Sequence, residues 1–333
     1  MGTQAKYPEI DRRLVGRREF LGLGAGVALA AAFRAGAETC DAAAYLKPRR
    51  ISVACGLARP FSVLHISDTH LSLMSAKELE NVDRARLHRD RNGSMFPHGR
   101  GAKGLAAAVA YAASRRMPIV HTGDLIDFYG EANAAAVRKL TADESVYAAA
   151  GNHEWAYFMY TRKEDVRRNR DLFIARLCDV YRNDLDVSAR VIGGVNFVAF
   201  DDWDSNVTER QAAFIDAELA KGLPTILLCH CPFYVPRLHA EGMERCKDRP
   251  HSDLVGLPLA EHERIRAVTP SEAWHRPTKT TLEFTERLKA AGNLKAILCG
   301  HLHRFHEERF SPTAIQYVVG ANSAGAAYEV SLS

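Results

Sequence analysis

The chain has 333 residues, 44 Lys and Arg against 40 Asp and Glu, with 47% of residues hydrophobic and 25% charged. Such proportions exclude collagen-like, low-complexity and disordered classes and allow a core that needs no disulfide staples. A formal net charge of +4 is too small at this length to point to nucleic acid or an anionic membrane, so no stable partner of either kind is expected.

The first 37 residues read as an address and not as part of the fold. Arg12-Arg13 and Arg17-Arg18 precede an uncharged Gly/Ala-rich run from Phe20 to Phe33, followed by Arg34-Ala35-Gly36-Ala37. The run is 14 residues long, short of the ~20 needed to span a bilayer. Arg17-Arg18-Glu19-Phe20-Leu21 resembles a twin-arginine export signal, which implies the twin-arginine machinery as a partner and a periplasmic or secreted location. Cleavage after Ala37 would leave 38 basic against 37 acidic residues, so the positive balance belongs mostly to the signal. Residues 38–60 read as a linker or N-terminal extension.

From Phe61 onward, short apolar runs recur, each closing on a polar cluster. Strands are expected at Phe61–Ser67, Pro118–Gly123, Ser145–Ala150, Asn196–Asp201, Thr225–His230, Leu294–Gly300 and Ile315–Gly320. Between them, helical periodicity marks Gly104–Arg115, Glu131–Leu140, Glu164–Cys178, Thr208–Lys221 and Thr280–Ala291. The alternation predicts an α/β layered domain over 61–333. Gly193-Gly194 between two apolar runs predicts a tight hairpin, so the sheets are expected to be mixed. Leu73–Lys103 and the Pro-bearing Pro232–Lys279 break the pattern and read as loop insertions over one face.

What ends the strands carries the chemistry. In order, they close on Asp68-Thr69-His70, Gly123-Asp124-Leu125-Ile126-Asp127, Gly151-Asn152-His153-Glu154, His230 and Gly300-His301-Leu302-His303. The carboxyl edge of an open α/β sheet is where loops converge on a ligand. Carboxylates, imidazoles and one amide, with no obligatory thiolate, suit ions such as Mn, Fe or Zn. A single Asp-x-His or Gly-Asp-x-x-Asp is an ordinary turn or cap. Five such clusters in one order, each ending a buried strand, are not.

This order resembles the calcineurin-like metallophosphoesterase superfamily, from about Phe61 to the C-terminus. The resemblance implies a four-layered α/β/β/α sandwich with two mixed sheets, the metallo-dependent phosphatase-like fold, and two divalent or trivalent ions at the strand ends. Carried over by position, Asp68, His70 and His303 would hold one ion, Asn152, His230 and His301 the other, and Asp124 would bridge them. His153 would stand outside the ligand set, donating a proton to the leaving group, steadying the equatorial oxygens, or orienting Asp68 or a phosphate by a hydrogen bond; Asp127 would be a supporting carboxylate, and Glu154 would be structural. The reaction implied is hydrolysis of a small phosphoester, monoester or diester, by a hydroxide formed between the ions. Gly-Asp-x-x-Asp has Asp127 where the purple acid phosphatase branch has Tyr, which argues against that branch. A non-catalytic binding protein on the same fold and a small exported nuclease are the alternatives.

Two further features bear on substrate and redox state. Leu73–Lys103 carries Lys77, Arg84, Arg86, Arg89, Arg91, Arg100 and Lys103, and Arg304 follows the last motif directly. These basic groups either grip a phosphate, with Arg304 the candidate substrate-binding residue, or pair with Glu78, Glu80, Asp83 and Asp90. Of seven cysteines, Cys229 and Cys299 read as small buried hydrophobes, while Cys231 and Cys246 could oxidise in an exported protein.

Overall fold

A computed structural model of the protein describes residues 42–90, 100–142, 144–156 and 163–333. The proposed signal, residues 1–37, lies outside the described residues, as does Cys40. Among the described residues no helix is long and apolar enough to cross a membrane.

Eleven strands are described: β1 (Lys47–Val53), β2 (Phe61–Ile66), β3 (Ile119–Thr122), β4 (Val146–Ala149), β5 (Val187–Ile192), β6 (Val195–Phe200), β7 (Thr225–Leu228), β8 (Leu294–Cys299), β9 (His306–Arg309), β10 (Ile315–Val318) and β11 (Ala326–Leu332). They form a five-stranded sheet in the order β1-β11-β2-β3-β4 and a six-stranded sheet in the order β5-β6-β7-β8-β10-β9. Both sheets are mixed. β2, β3 and β4 run parallel, as do β6, β7, β8 and β10. β11 lies antiparallel to β2, and β5 and β9 are antiparallel to their neighbours. The hairpin expected at Gly193-Gly194 joins β5 to β6 with Ile192 opposite Val195, both glycines having the positive φ that such a turn demands.

Three apolar layers hold the sandwich together. On the outer face of the first sheet, Leu64, Ile66, Ile119 and Val146 meet Leu105 and Ala108 of the helix Arg100–Arg115, Val137 of Glu131–Leu140 and Leu177 of Lys163–Tyr181. Between the sheets lie Val63, Val120, Tyr147, Phe197, Ile226, Leu228, Leu298 and Tyr328. On the outer face of the second sheet, Val198, Phe200, Leu227 and Ile297 pack on Ile215 of Glu209–Leu219 and Phe284 and Leu288 of Lys279–Ala290. Neighbouring positions such as Leu227 and Leu228 therefore face different layers. That is why the central strands read as unbroken apolar runs: each side chain has a core to enter, worth about 1.5–3 kcal/mol when fully buried. The result is the expected α/β/β/α sandwich.

Three strands were not among those expected. β1, within the segment read as a linker, pairs in parallel with β11 along its whole length, from Lys47 with Ala326 to Val53 with Leu332. Its sequence, with Pro48, Arg49 and Arg50, is that of an edge strand guarded against further pairing. The loop reading of both insertions is also corrected. The first contains the helices Ala76–Leu79 and Val82–Asp90 and the start of Arg100–Arg115; residues 91–99 lie outside the described residues. The second contains Pro236–Arg245, Leu259–Val268 and a 3-10 turn at Pro270–His275.

Candidate metal centre

The parallel strands of both sheets present their carboxyl ends along one edge, where the loops after β2, β3, β4, β7 and β8 meet. Backbone hydrogen bonds lace these loops together: Asp68 N–H donates to the Gly123 carbonyl (3.1 Å), His70 N–H to Asp124 (2.9 Å) and Gly300 N–H to His230 (3.1 Å). Among the described residues, eight non-glycine residues have positive φ, and five of them are Asp68, His70, Asp124, His301 and His303. A left-handed backbone costs a residue with a Cβ roughly 1 kcal/mol or more, and such strain gathers where function over-determines geometry. Here it turns the side chains inward. Gly123 and Gly151 make the close approach possible, since a Cβ on either would come within 2.6 Å of a side-chain atom, His230 Nδ1 for Gly123 and Asp124 Oδ1 (2.4 Å) for Gly151.

The donor atoms form two halves around Asp124. In the first, His303 Nε2 lies 3.1 Å from His70 Nε2 and 3.2 Å from Asp68 Oδ1. In the second, His230 Nε2 lies 3.2 Å from both His301 Nδ1 and Asp124 Oδ2. Asp124 Oδ2 is also 3.7 Å from His70 Nε2, which places this one oxygen between the halves. Asp68–His70–His303 and Asp68–Asp124–His230 each bring three donors within 4.8 Å of one another. A third such group joins His70 and Asp124 to His153, whose Nε2 is 4.0 Å from Asp124 Oδ2.

The outer nitrogens of these rings fix their tautomers. His70 Nδ1 faces the Asp127 carboxylate (3.1 Å) and His230 Nδ1 faces the Thr122 carbonyl (2.8 Å). Both partners only accept, so each Nδ1 carries its hydrogen, and in the neutral ring each Nε2 turns a lone pair inward. Inside, these lone pairs confront other imidazole nitrogens at 3.1 and 3.2 Å. Asp68 Oδ1 is buried without a well-formed hydrogen bond. Inward lone pairs and a buried carboxylate oxygen are costly together unless positive charge lies among them. The donor set fits cations of the Mn, Fe or Zn kind.

Protons answer the same demand in the ion-free chain. Burial would lower His230, but Asp124, Asp68 and Asp202 raise it well above the usual imidazole range. His303 is raised against burial by Asp68. Asp68 and Asp124, although buried, are held well below the usual carboxylate range by the surrounding imidazoles. His153 is raised to about 9, burial being outweighed by Asp124 and by Asp127.

Three carboxylates hold the loops. One oxygen of Asp127 takes both His70 Nδ1 (3.1 Å) and His153 Nδ1 (3.0 Å), fixing the two rings at once. Glu154 accepts from the backbone N–H groups of Gly151 (2.6 Å), Asp124 (3.0 Å), Leu125 (2.8 Å) and Ile126 (3.3 Å) and from the Tyr181 hydroxyl (2.8 Å). It clamps the β3 and β4 loops together. Asp202, after β6, does the same for His230 and Cys231, accepting from their N–H groups at 3.2 and 2.8 Å. Nothing in the sequence motifs singles out Asp202 beyond its place at a strand end.

The structure thus brings together Asp68, His70, Asp124, His230, His301 and His303, with His153 and Asp127 beside them. Asn152 is buried between Gly151, which abuts Asp124 and His230, and His153, whose N–H donates to Asp124 Oδ1 (2.9 Å). Arg304, next to His303, has its Nη1 3.8 Å from Glu241 Oε2 in the second insertion. In the first insertion, Arg84 is buried against Glu78 (2.7 Å) and Arg86 pairs with Asp90 (3.7 Å), so these two guanidinium groups are matched within the segment. The six described cysteines, including Cys231 and Cys246, are free thiols.

No curated protein matches the chain. Among solved structures, it is similar to a dimetal phosphatase from Danio rerio, at 16% identity and a TM-score of 0.42 over 79% of this chain and 88% of that one. A putative 5'-nucleotidase from Staphylococcus aureus (13% identity, TM-score 0.38, 79% of this chain and 49% of that one) and a phosphopantetheinyl hydrolase from Mycobacterium tuberculosis (13%, 0.37, 79% and 90%) are also similar. The family model of the calcineurin-like phosphoesterases matches residues 61–305, from the first residue of β2 to just past His303. With that match spanning every strand-end motif, the chain belongs to the calcineurin-like phosphoesterase family.

Proposed function

We propose that the protein hydrolyses small phosphomonoesters or phosphodiesters at a centre of two metal ions held by Asp68, His70, Asp124, Asn152, His230, His301 and His303. The observation that carries this reading is the convergence of imidazole nitrogens and carboxylate oxygens on both sides of Asp124. Ions bound there would supply Lewis acidity toward phosphate oxygens and a water activated near neutral pH. The chain's residues do the rest. Asp68 and Asp124 provide the negative charge that draws cations into a buried edge. His301 and His303, 18% and 41% exposed, mark the side from which a phosphoester can approach.

We assign His153 the role of general acid: its Nδ1 is fixed on Asp127, its ring meets that of His70 edge-on at 4.7 Å, and its Nε2 lies 4.0 Å from Asp124 Oδ2. His153→Gln is expected to lower kcat by about 100- to 10,000-fold, with metal content unchanged; a variant with wild-type kcat would remove His153 from the chemistry.

Turnover of p-nitrophenyl phosphate and bis(p-nitrophenyl) phosphate after loading with Mn or Zn tests the reading. Hydrolysis by the wild type that Asp124→Ala lacks supports it, and the ratio of the two rates assigns monoester or diester. No turnover that depends on Asp124 contradicts it and favours a binding role. We further propose that residues 1–37 direct export by the twin-arginine route, on the strength of Arg17-Arg18 before a weakly apolar run. Fractionation with N-terminal sequencing checks this; a cytoplasmic, uncleaved chain would contradict it.

A further inference from the structure

The second insertion, read from sequence as a loop over one face, reaches into the site. Val255 N–H donates to the Pro232 carbonyl (2.9 Å) and Tyr234 N–H to the Val255 carbonyl (2.8 Å). This short parallel bridge pins the middle of the insertion beside the residues that follow His230. Two positions earlier stands Asp253, whose carboxylate meets two imidazoles. Its Oδ2 is 3.2 Å from His301 Nε2 and its Oδ1 is 3.2 Å from His275 Nε2. His275 is held in turn, its Nδ1 lying 3.2 Å from Ser205 Oγ in the segment after β6.

We infer that Asp253 is a positioning residue of the metal centre, holding His301 in the tautomer that presents Nδ1 to the ion. The inference rests on the two-metal reading. An ionised carboxylate only accepts, so the hydrogen of His301 sits on Nε2 and the lone pair on Nδ1, the atom that faces His230 Nε2. The backbone of His301 is fixed as well, its N–H donating to Asp68 Oδ2 at 3.0 Å. Ring and backbone are thus set by different carboxylates, one from the strand-end motifs and one from the insertion. Without Asp253, nothing on its outer nitrogen holds His301 in this tautomer and rotamer, and part of its population no longer offers the correct nitrogen. Carboxylate partners of metal-bound histidines do this work in many sites, where their loss weakens metal affinity by about 10- to 100-fold.

The test uses the full-length protein with Asp253→Ala, Asp253→Asn and Asp253→Glu, titrated with Co(II) and followed by its visible absorption and by equilibrium dialysis. Wild type is expected to bind two ions. Asp253→Ala is expected to bind one of them about 10- to 100-fold more weakly, with an altered Co(II) spectrum, while the other ion keeps its affinity. Asp253→Asn, isosteric and still an acceptor, should fall between, and Asp253→Glu should recover part of the loss. Circular dichroism of the ion-free variants shows whether they fold; a fold defect alone would weaken both ions equally and overturn the inference. Two ions bound by Asp253→Ala with wild-type affinity and spectrum would also overturn it. A wild type that binds no pair of ions would instead sink the two-metal reading itself.

Discussion

The two insertions carry similar stocks of charged side chains and use them differently. In Leu73–Lys103 the best-buried charges serve the fold. Glu78 accepts from Arg84 (2.7 Å), from Ser75 N–H, and from Glu131 and Ala132 N–H at the start of the helix Glu131–Leu140. The carboxylate thereby caps one helix while closing its own, a favourable place for negative charge. In Pro232–Lys279 the partly exposed Asp253 serves the site, through His301. Net charge does not separate these roles. What separates them is whether the carboxylate faces a helix terminus or a ring whose other nitrogen points at the metal donors.

The largest expected effect that tests this contrast falls on the first insertion. Glu78→Ala removes the carboxylate that faces the buried Arg84 guanidinium and uncaps Glu131–Leu140, and should lower stability by about 3–5 kcal/mol in urea unfolding, with metal stoichiometry of the folded protein unchanged. A loss below about 1 kcal/mol would mean that the pair is not the brace described. The same carboxylate gives a pH signature. Burial would raise Glu78, but hydrogen bonds from Ser75, Glu131 and Ala132 hold it below the ordinary value of 4.5. Its folded value is depressed, so its contribution is complete above pH 4.5 and is lost as pH falls through the folded value. Glu78→Gln should flatten stability against pH in that acidic window and nowhere else.

Next in size is the roughly tenfold or greater loss of metal affinity expected for Asp253→Ala. If Glu78→Ala altered metal binding as much as Asp253→Ala did, the contrast would collapse. The smallest effect is expected at Arg86, 72% exposed and 3.7 Å from Asp90. Arg86→Ala should cost no more than about 0.5 kcal/mol, and a larger change in stability or in KM would show that the exposed basic residues do more than pair with their neighbours.

Much of the site was legible because each ligand cluster is local: a buried apolar run followed at once by Asp, His or Asn. The expected helices Glu131–Leu140 and Thr280–Ala291, the second observed as Lys279–Ala290, and the hairpin at Gly193-Gly194 were legible for a similar reason, being carried by short-range periodicity and turn chemistry. β1 was not, because Pro48, Arg49 and Arg50 are the marks of a guarded edge and only the long-range partner β11 makes them a strand. Asp253 was not, because its role depends on a bridge at Val255 and on a histidine 48 residues away. Asp202 likewise acts through backbone N–H groups of another loop. Spacing encodes what neighbours in sequence do; these residues act across the fold.

The most direct test of the two-ion centre built around Asp124 is the number of ions bound per chain, measured by mass spectrometry after equilibration with Mn or Zn, for wild type and Asp124→Asn. The amide keeps the shape of the side chain and removes the charge that lies between His230 and His70. Two ions per wild-type chain, falling to one or none in the variant while the fold persists, is the predicted result. Equal occupancy in the two proteins, or no ion in either, would contradict it.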